Sequence, residues 1–380
     1  MGAEIISAEN PDMVGLDEFD FVVFDPYLYG ADVFYRRSGL RLNTGLVFFT
    51  HSVLCWFKML ILIRPYLTPK DVVITPSRFS QRSLSMLYRG VSSVRLSYFS
   101  DSSDILSGCH DDFMCVYLGR LRPDKGVLET IQAIESIRTA HPALRLAIIG
   151  PPGGDSTDAA KSPYAALLER YVREHGLDEA VRFCGALTGR EKSRVLSRAG
   201  LLLLPTTCSQ EAQPFSVIEA LRHGVPVVAT RWAALDGELV QDGITGFLAD
   251  VSWHEGAPGV SHKAIADAIG RYLTLPRRDR QAMRSAAQAS SRRFGKRQVI
   301  PALRAILAQK APINLSALHQ PNMSHRRIGD MGDLFGEIVT GSPLLSNLTL
   351  DDLRNLPHEA GETLRTQFIK DNLEAFYRQA

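Results

Sequence analysis

The chain has 380 residues, and its 45% of hydrophobic side chains can bury substantial cores in roughly two or more domains. Its formal net charge of +2 and its pI near 8.3 are too mild for a nucleic-acid-binding protein. Five cysteines, an odd number without C-x-x-C spacing, argue against a disulfide framework and a zinc site. We therefore expect a cytoplasmic protein with reduced thiols and several domains, and no nucleic-acid partner.

Residues 1–109 are predicted to form a partial α/β domain. The apolar runs that predict its strands are Phe19–Phe24, Thr44–Thr50 and Asp71–Thr75. A further apolar run, Val53–Ile63, contains Lys58 and is too short to cross a bilayer. We expect a core helix there, and a peripheral contact with a membrane surface is left open.

Residues 110–310 are predicted to form a second domain, in which strands and helices alternate. The predicted strands are Met114–Leu118, Leu144–Gly150, Val181–Cys184, Leu201–Leu204, Pro226–Thr230 and Gly246–Ala249. The helices between and after them are Asp124–Ala140, Tyr164–Glu174, Arg190–Arg198, Pro214–Arg222, His262–Leu273, Asp279–Phe294 and Gln298–Gln309. This alternation predicts a parallel sheet with helices on both faces. Residues 311–380 are expected to be an extension, a loop followed by helices.

Two carboxylates stand eight positions apart in the second domain. Glu211 lies in a loop after the strand Leu201–Leu204, and Glu219 lies in the helix that follows. Ligands of parallel α/β sheets bind in the crevice outside the carboxyl ends of the strands, which is where Glu211 is expected. Taken alone, two such glutamates are more often solvated surface residues.

The start of that helix predicts an anion site. Pro214 suits the first helical position, where a missing N–H does no harm. The N–H groups of Phe215, Ser216 and Val217 would then point out of the helix, and such an end attracts phosphate. Phosphates there, ribose hydroxyls on the helical glutamate and sugar hydroxyls on the loop glutamate would suit a nucleotide sugar.

A basic loop follows the first strand of the second domain. Gly119 permits a tight turn after Met114–Leu118, and Arg120 and Lys125 flank the loop. Arginine offers a planar fork and lysine a point charge, and together they suit a diphosphate. Such a loop by itself is more often merely solvated, but its place on the same sheet as the two glutamates favours a binding site.

Five motifs follow one another along the second domain. They are Gly-Arg-Leu-x-x-x-Lys-Gly at 119–126, Ile-Ile-Gly-Pro at 148–151, Val-x-Phe-x-Gly at 181–185, Glu-x7-Glu-Ala-Leu-x-x-Gly-x-Pro-Val-Val-Ala at 211–229, and Gly-x-x-Gly-Phe-Leu at 243–248. In this order they resemble the retaining glycosyltransferases of family 4, over residues 113–307. The resemblance implies an α/β fold of the GT-B type, with two Rossmann-like domains facing a cleft. The N-terminal domain would be abbreviated, and the C-terminal one would hold a nucleotide-sugar donor.

The resemblance also implies a role for each motif residue. Arg120 and Lys125, next to Gly119, would hold the donor diphosphate and compensate the charge of the leaving group. Glu211 would contact the donor sugar and Glu219 the ribose. Many family members have Gly-Phe-Gly soon after the first glutamate, where this chain has Ala-Gln-Pro-Phe-Ser at 212–216. Proline removes one amide donor there, so the phosphate contacts fall to Phe215, Ser216 and Val217.

The implied reaction is a front-face displacement that retains the configuration of the sugar and needs no side-chain nucleophile. His51, after the strand Thr44–Thr50, resembles the strand-end histidine of the N-terminal domain and would face the donor sugar. Because the sequence has no Asp-x-Asp motif, we expect a metal-independent reaction without a cofactor. The acceptor would be a hydroxyl of a sugar, a lipid or a small molecule.

Two other functions remain open. The short N-terminal region favours a non-catalytic or partner-dependent protein that binds a nucleotide sugar, and a partner chain could complete that domain. The second alternative is another GT-B activity, a sugar phosphorylase or a nucleotide-sugar epimerase. The sequence predicts neither the base, nor the sugar, nor the acceptor.

Overall fold

A computed structural model describes most of the second predicted domain and short parts of the first. The described residues are 20–24, 45–50, 70–87, 93–100, 106, 108–151, 162–208, 211–254 and 257–309. The chain divides into two units, one formed by Met1–Leu96 with Pro301–Ala380 and the other by Ser97–Ile300. Sequence analysis put the boundaries at 109 and 310. The first boundary lies earlier because the backbone of Tyr98 is already hydrogen-bonded to Gln213 of the second unit. The predicted extension 311–380 lies outside the described residues.

The described part of the first unit contains a parallel sheet, one complete helix and, from residue 301, the end of a helix that begins in the second unit. Its strands, in the spatial order β1-β2-β3-β4, are β1 (Phe21–Phe24), β2 (Gly45–Phe49), β3 (Val72–Thr75) and β4 (Ser93–Arg95), and its helix is α1 (Arg78–Leu87). Strand β3 is buried over its full length, as expected of a strand in a parallel sheet covered on both faces. The three strands predicted in this region are confirmed. The run Val53–Ile63 lies outside the described residues.

The second unit contains a parallel sheet of six strands in the order β10-β9-β8-β5-β6-β7. These strands are β5 (Asp111–Leu118), β6 (Arg145–Ile149), β7 (Val181–Gly185), β8 (Ala199–Leu204), β9 (Val227–Thr230) and β10 (Gly246–Ala249). The helices are α2 (Val127–Arg138), α3 (Pro163–Glu174), α4 (Gly189–Leu196), α5 (Phe215–Arg222), α6 (His262–Leu273) and α7 (Arg277–Ser291), and α8 (Lys296–Ala308) runs from this unit into the first. The alternation of strands and helices is confirmed, and the fold class is α/β.

The start of helix α2 and a hairpin after β10 are among the details of the second unit that differ from the sequence prediction. Helix α2 begins at Val127 instead of Asp124, because Gly126 takes a left-handed conformation and separates the helix from a 3-10 turn at Pro123–Lys125. A two-stranded antiparallel hairpin after β10, formed by β11 (Ser252–His254) and β12 (Ala257–Gly259), was not predicted. Its strands have three residues each, which is too short for a clear alternation of apolar and polar side chains.

The described residues include four of the five cysteines. Cys109, Cys115, Cys184 and Cys208 are free thiols there. Within the described ranges, no helix is long and apolar enough to cross a membrane. Cytoplasmic localisation and membrane contact stay predictions.

His110 lies at the amino end of the six-stranded sheet, just before β5. Its Nδ1 bonds to the carbonyl of Ala199 at 2.8 Å, so Nδ1 carries a proton and donates it. Burial is the main cause that lowers the pKa of His110. The bond to Ala199 and the charge of Asp112 oppose this effect, whereas Arg284 and His223 add to it. The folded protein therefore disfavours a charged imidazole at this position.

We expect the melting temperature to fall as the pH drops below about 6.5, partly because of His110. A histidine with a lowered pKa in the folded state takes up its proton more readily in the unfolded chain, so stability rises with pH through this window. His110→Asn keeps an N–H donor for the carbonyl of Ala199 but cannot be charged. Melting curves from pH 8 to 5 should show a smaller loss for the variant, and equal slopes would contradict the assignment.

Candidate functional site

The carboxyl ends of β5 and β8 lie next to each other at one edge of the six-stranded sheet. These two parallel strands are hydrogen-bonded neighbours, although β6 and β7 lie between them in the chain. The loop after β5 (residues 119–126, the β5 loop) and the loop after β8 (residues 205–214, the β8 loop) therefore meet at this edge, where ligands of parallel sheets bind.

Gly119 begins the β5 loop. Its φ is not positive, so the turn does not need the left-handed freedom of glycine on which the sequence prediction depended. A Cβ added to Gly119 would instead lie 3.1 Å from the hydroxyl of Tyr117. That hydroxyl donates to the carbonyl of Arg120 at 2.8 Å, so the buried ring orients the start of the loop. Arg120 is exposed at this position.

Gly126 ends the β5 loop and brings it against the β8 loop. Its φ is 67°, and a Cβ there would overlap the carbonyl oxygen of Pro205. The carbonyl of Asp124 accepts hydrogen bonds from the N–H of Thr207 at 2.9 Å and the hydroxyl of Thr206 at 3.1 Å. These hydrogen bonds hold the backbone next to Lys125 against the β8 loop.

Lys125 and Glu211 form a nearly enclosed ion pair between the two loops. The ammonium of Lys125 donates to Oε2 of Glu211, and each side chain is 11% exposed. Burial by itself lowers the pKa of Lys125, but the charge of Glu211 and the hydrogen bond between them outweigh it, so the pKa is raised. The ammonium is therefore charged at neutral pH. The structure thus brings together two residues that are 86 positions apart in the sequence.

Cys208 anchors the β8 loop ahead of Glu211. Its carbonyl accepts hydrogen bonds from the N–H of Glu211 at 3.1 Å and from the indole Nε1 of Trp232 at 2.8 Å. Trp232, two residues beyond β9, is buried. The backbone of Glu211 is thereby linked, through the carbonyl of Cys208, to Trp232 just beyond the neighbouring strand β9.

The start of α5 differs in detail from the prediction. Pro214 is the residue that precedes the helix, with an extended backbone, and Phe215 is the first helical residue. The N–H of Val217 donates to the carbonyl of Pro214 at 3.2 Å, and the side chain of Val217 is fully buried. Val217 therefore does not offer a free amide, because the helix begins its own hydrogen bonds there. The amides of Phe215 and Ser216 precede that bond, and the Phe215 side chain is 42% exposed.

Glu219 forms the second ion pair of this region, with a residue that sequence analysis missed. Its Oε2 lies 2.8 Å from Nζ of Lys192 in α4, and the side chains are 15% and 23% exposed. Arg190, Lys192 and Arg194 all lie in the predicted helix after β7, and nothing in the sequence distinguishes Lys192 from the other two. Only the packed helices show which cation reaches the glutamate.

One predicted site residue, the strand-end histidine, has no structural description. His51 lies outside the described residues, and its role stays a prediction. Among the residues that the structure describes, no group of three histidine, cysteine or acidic side chains is arranged to hold a metal ion. The described edge thus offers two ammonium–carboxylate pairs and two amides at a helix start. This set can bind an anionic group together with hydroxyl groups.

Known proteins of one family are similar to this part of the chain. The sequence profile described as "Glycosyl transferases group 1" matches residues 106–290. The chain is 28% identical over 163 residues to the lipopolysaccharide 1,2-N-acetylglucosaminetransferase of Salmonella typhimurium, covering 43% of this chain and 42% of that protein. It is 30% identical over 267 residues to the GDP-mannose-dependent alpha-(1-6)-phosphatidylinositol monomannoside mannosyltransferase of Mycolicibacterium smegmatis, covering 64% of each. The chain therefore spans about two fifths to two thirds of the length of these relatives.

The fold is also similar to that of solved glycosyltransferases. The pneumococcal O-GlcNAc transferase GtfA, solved in complex with UDP and GlcNAc, superposes with a TM-score of 0.64 at 16% identity, over 80% of this chain and 59% of that chain. At this identity the similarity shows the fold alone. Together with the parallel sheets of both units, it confirms the GT-B fold class.

Proposed function

We propose that this chain transfers a sugar from a nucleotide-diphosphate sugar to a hydroxyl acceptor, with retention of configuration, and the match of residues 106–290 to the group 1 glycosyl transferases supports this proposal. The observation that carries the proposal is the pair of Lys125 and Glu211 at the ligand-binding edge of a parallel sheet. Lys125 supplies a fixed positive charge for a diphosphate. Glu211, in direct contact with it, supplies a carboxylate for sugar hydroxyls.

The second ion pair extends the proposed donor site away from the reacting centre. Lys125 and Arg120 would bind the diphosphate, with the amides of Phe215 and Ser216. Glu219 would accept hydrogen bonds from the ribose hydroxyls while Lys192 holds its carboxylate in place. A doubly charged diphosphate would compete with Glu211 for the ammonium of Lys125 and turn the carboxylate toward the sugar.

The proposed reaction breaks the bond between the anomeric carbon and the diphosphate oxygen, and the acceptor oxygen forms its bond on the same face. The acceptor proton passes to the leaving phosphate oxygen, so no side-chain nucleophile is needed. The ammonium of Lys125 and the guanidinium of Arg120 stabilise the negative charge that develops on the leaving group, which is usually the largest catalytic term. Because two protein cations supply this charge, we propose that the transfer is metal-independent, and EDTA should leave it unchanged.

A panel of UDP- and GDP-sugars tests the proposal. A donor that binds the native protein raises its melting temperature, and transfer then releases the nucleotide in the presence of sugar, lipid-linked and small-molecule acceptors. Both effects should be lost in Glu211→Ala. The absence of any shift with every nucleotide and nucleotide sugar would refute the donor site. Binding without release would favour the binding protein, phosphate-dependent cleavage of a glycoside the phosphorylase, and conversion of the free donor the epimerase.

We expect Lys192→Met to weaken the binding of the tightest donor about tenfold, because Glu219 loses the charged partner that orients it. Stability should change by less than about 1 kcal/mol, since the pair is partly exposed. Isothermal titration calorimetry measures the affinity. Lys263→Met, which removes an exposed lysine of α6, is the matched control. An unchanged affinity in Lys192→Met would contradict the ribose assignment.

A further inference from the structure

Gln213, in the β8 loop, makes two hydrogen bonds that the sequence motifs do not predict. Its Oε1 accepts from the N–H of Tyr98 at 3.1 Å, and its Nε2 donates to the carbonyl of Tyr98 at 3.0 Å. The two residues are 115 positions apart, and both are more than nine-tenths buried. One side-chain amide therefore forms hydrogen bonds with both the N–H and the carbonyl of a single distant residue.

The chain around Tyr98 is fixed on its other side as well. Tyr98 is the second residue of the unit Ser97–Ile300, and the N–H of Ser100 donates to the carbonyl of Phe294 at 3.1 Å. Buried backbone groups that lose a partner are costly, so this segment is a firm support for the side chain of Gln213.

The bond to Tyr98 holds the β8 loop on the far side of Glu211. Cys208 anchors the loop before Glu211, through the indole of Trp232, and Gln213 anchors it two residues after Glu211. Helix α5 then begins directly after Pro214. The carboxylate that contacts Lys125 thus stands between two fixed points of the backbone.

We propose that Gln213 is a positioning residue, which sets the Glu211 carboxylate against Lys125 through its paired hydrogen bonds with the backbone of Tyr98. An amide is required, because only a side chain with a donor and an acceptor side by side satisfies both groups of Tyr98. A carboxylate in its place would turn an acceptor toward the carbonyl oxygen, and a thioether would offer neither bond. The inference rests on the proposed function only where it gives Glu211 a role in transfer.

Two substitutions and a matched control test the inference in the full chain. Gln213→Met removes both hydrogen bonds at similar volume. Gln213→Glu keeps the acceptor and regains the donor only when the introduced carboxyl is protonated. Gln81→Glu is the control, because the amide of Gln81 also donates to a backbone carbonyl, that of Ser93 at 3.0 Å, in the other unit. The second substitution keeps the test decisive if the first does not fold.

Hydrogen–deuterium exchange without ligand measures the position of the loop directly. Peptides covering 205–216 should lose protection about tenfold in Gln213→Met and in Gln213→Glu at pH 8. After correction for the intrinsic exchange rates, Gln213→Glu should regain protection at pH 5, and Gln81→Glu should not alter these peptides. Unchanged protection in both Gln213 variants overturns the inference, whether or not any nucleotide sugar is turned over.

Kinetics with the donor that the panel identifies separate positioning from a purely structural role. We expect kcat to fall about tenfold or more in Gln213→Glu at pH 8, with donor KM changed less than threefold, and to recover toward low pH relative to the unsubstituted chain. An unchanged kcat with a loosened loop would show that the hydrogen bonds only support the fold, and it overturns the inference. If no nucleotide sugar is turned over by the unsubstituted chain, the proposed function fails, and the exchange result alone decides whether Gln213 holds the loop.

Discussion

Lys125→Ala should lower the rate of sugar transfer by about two to three orders of magnitude, the effect typical of removing one preorganised charge from a developing anion. The ammonium is nearly enclosed, and its raised pKa keeps it charged at neutral pH. The β5 loop contacts the β8 loop on both sides of Lys125, through the carbonyl of Asp124 and through the close approach of Gly126 to Pro205. Nucleotide release under saturating donor measures the loss.

The substitution also leaves the nearly enclosed carboxylate of Glu211 without its ammonium partner. Breaking such a pair by removing one member is usually costlier than removing both. The double variant Lys125→Ala/Glu211→Ala should therefore be at least as stable as the single one, while both are inactive. This comparison of melting temperatures separates a loss of catalysis from a loss of folding.

Arg122→Ala is the matched control for Lys125→Ala. Arg122 belongs to the same loop, but its guanidinium pairs with Asp124 at 3.1 Å and is 27% exposed. We expect its removal to change transfer by less than about threefold, since exposed pairs contribute little. A similar loss in both variants would show that the general charge of the loop matters and that the contact with Glu211 does not.

Gly126→Ala should destabilise the protein by about 3 kcal/mol and abolish donor binding. An alanine in the left-handed conformation costs about 1–2 kcal/mol, and its Cβ would in addition overlap the carbonyl oxygen of Pro205. The backbone must shift to make room. Because Lys125 is the preceding residue, the same shift moves the ammonium away from Glu211.

Gly237→Ala separates the cost of the left-handed conformation from the cost of the steric overlap. Gly237 has a φ of 72°, and a Cβ there would meet nothing within 4 Å, so only the conformational cost remains. Urea unfolding of both variants measures the difference, which we expect to be about 2 kcal/mol. Equal destabilisation would mean that the chain at Pro205 yields without cost, and the close approach of the two loops would then not be a requirement of the fold.

The alternation of apolar runs predicted the second unit well, because each buried strand and each amphipathic helix is recorded in a local pattern. The start of α2 was placed three residues early, since Lys125 and Asp124 fit a helix as well as a turn and only the conformation of Gly126 decides between them. Likewise, Pro214 fits the first helical position by its missing N–H, but the helix begins one residue later. The exact residue at which each helix begins depends on contacts with other strands.

The local patterns of the chain are enough to predict its parallel sheets, and to predict that Lys125 and Glu211 follow strands and therefore lie at a ligand-binding edge. Which charges meet depends on how the strands and helices pack. Lys125 reaches Glu211 because β8 lies beside β5, a neighbour relation that skips two strands of the chain. Lys192 reaches Glu219, and Gln213 reaches Tyr98, across separations of 27 and 115 residues. Local sequence patterns indicate whether a side chain is buried. Its hydrogen-bond or ion-pair partner depends instead on the order in which strands and helices pack.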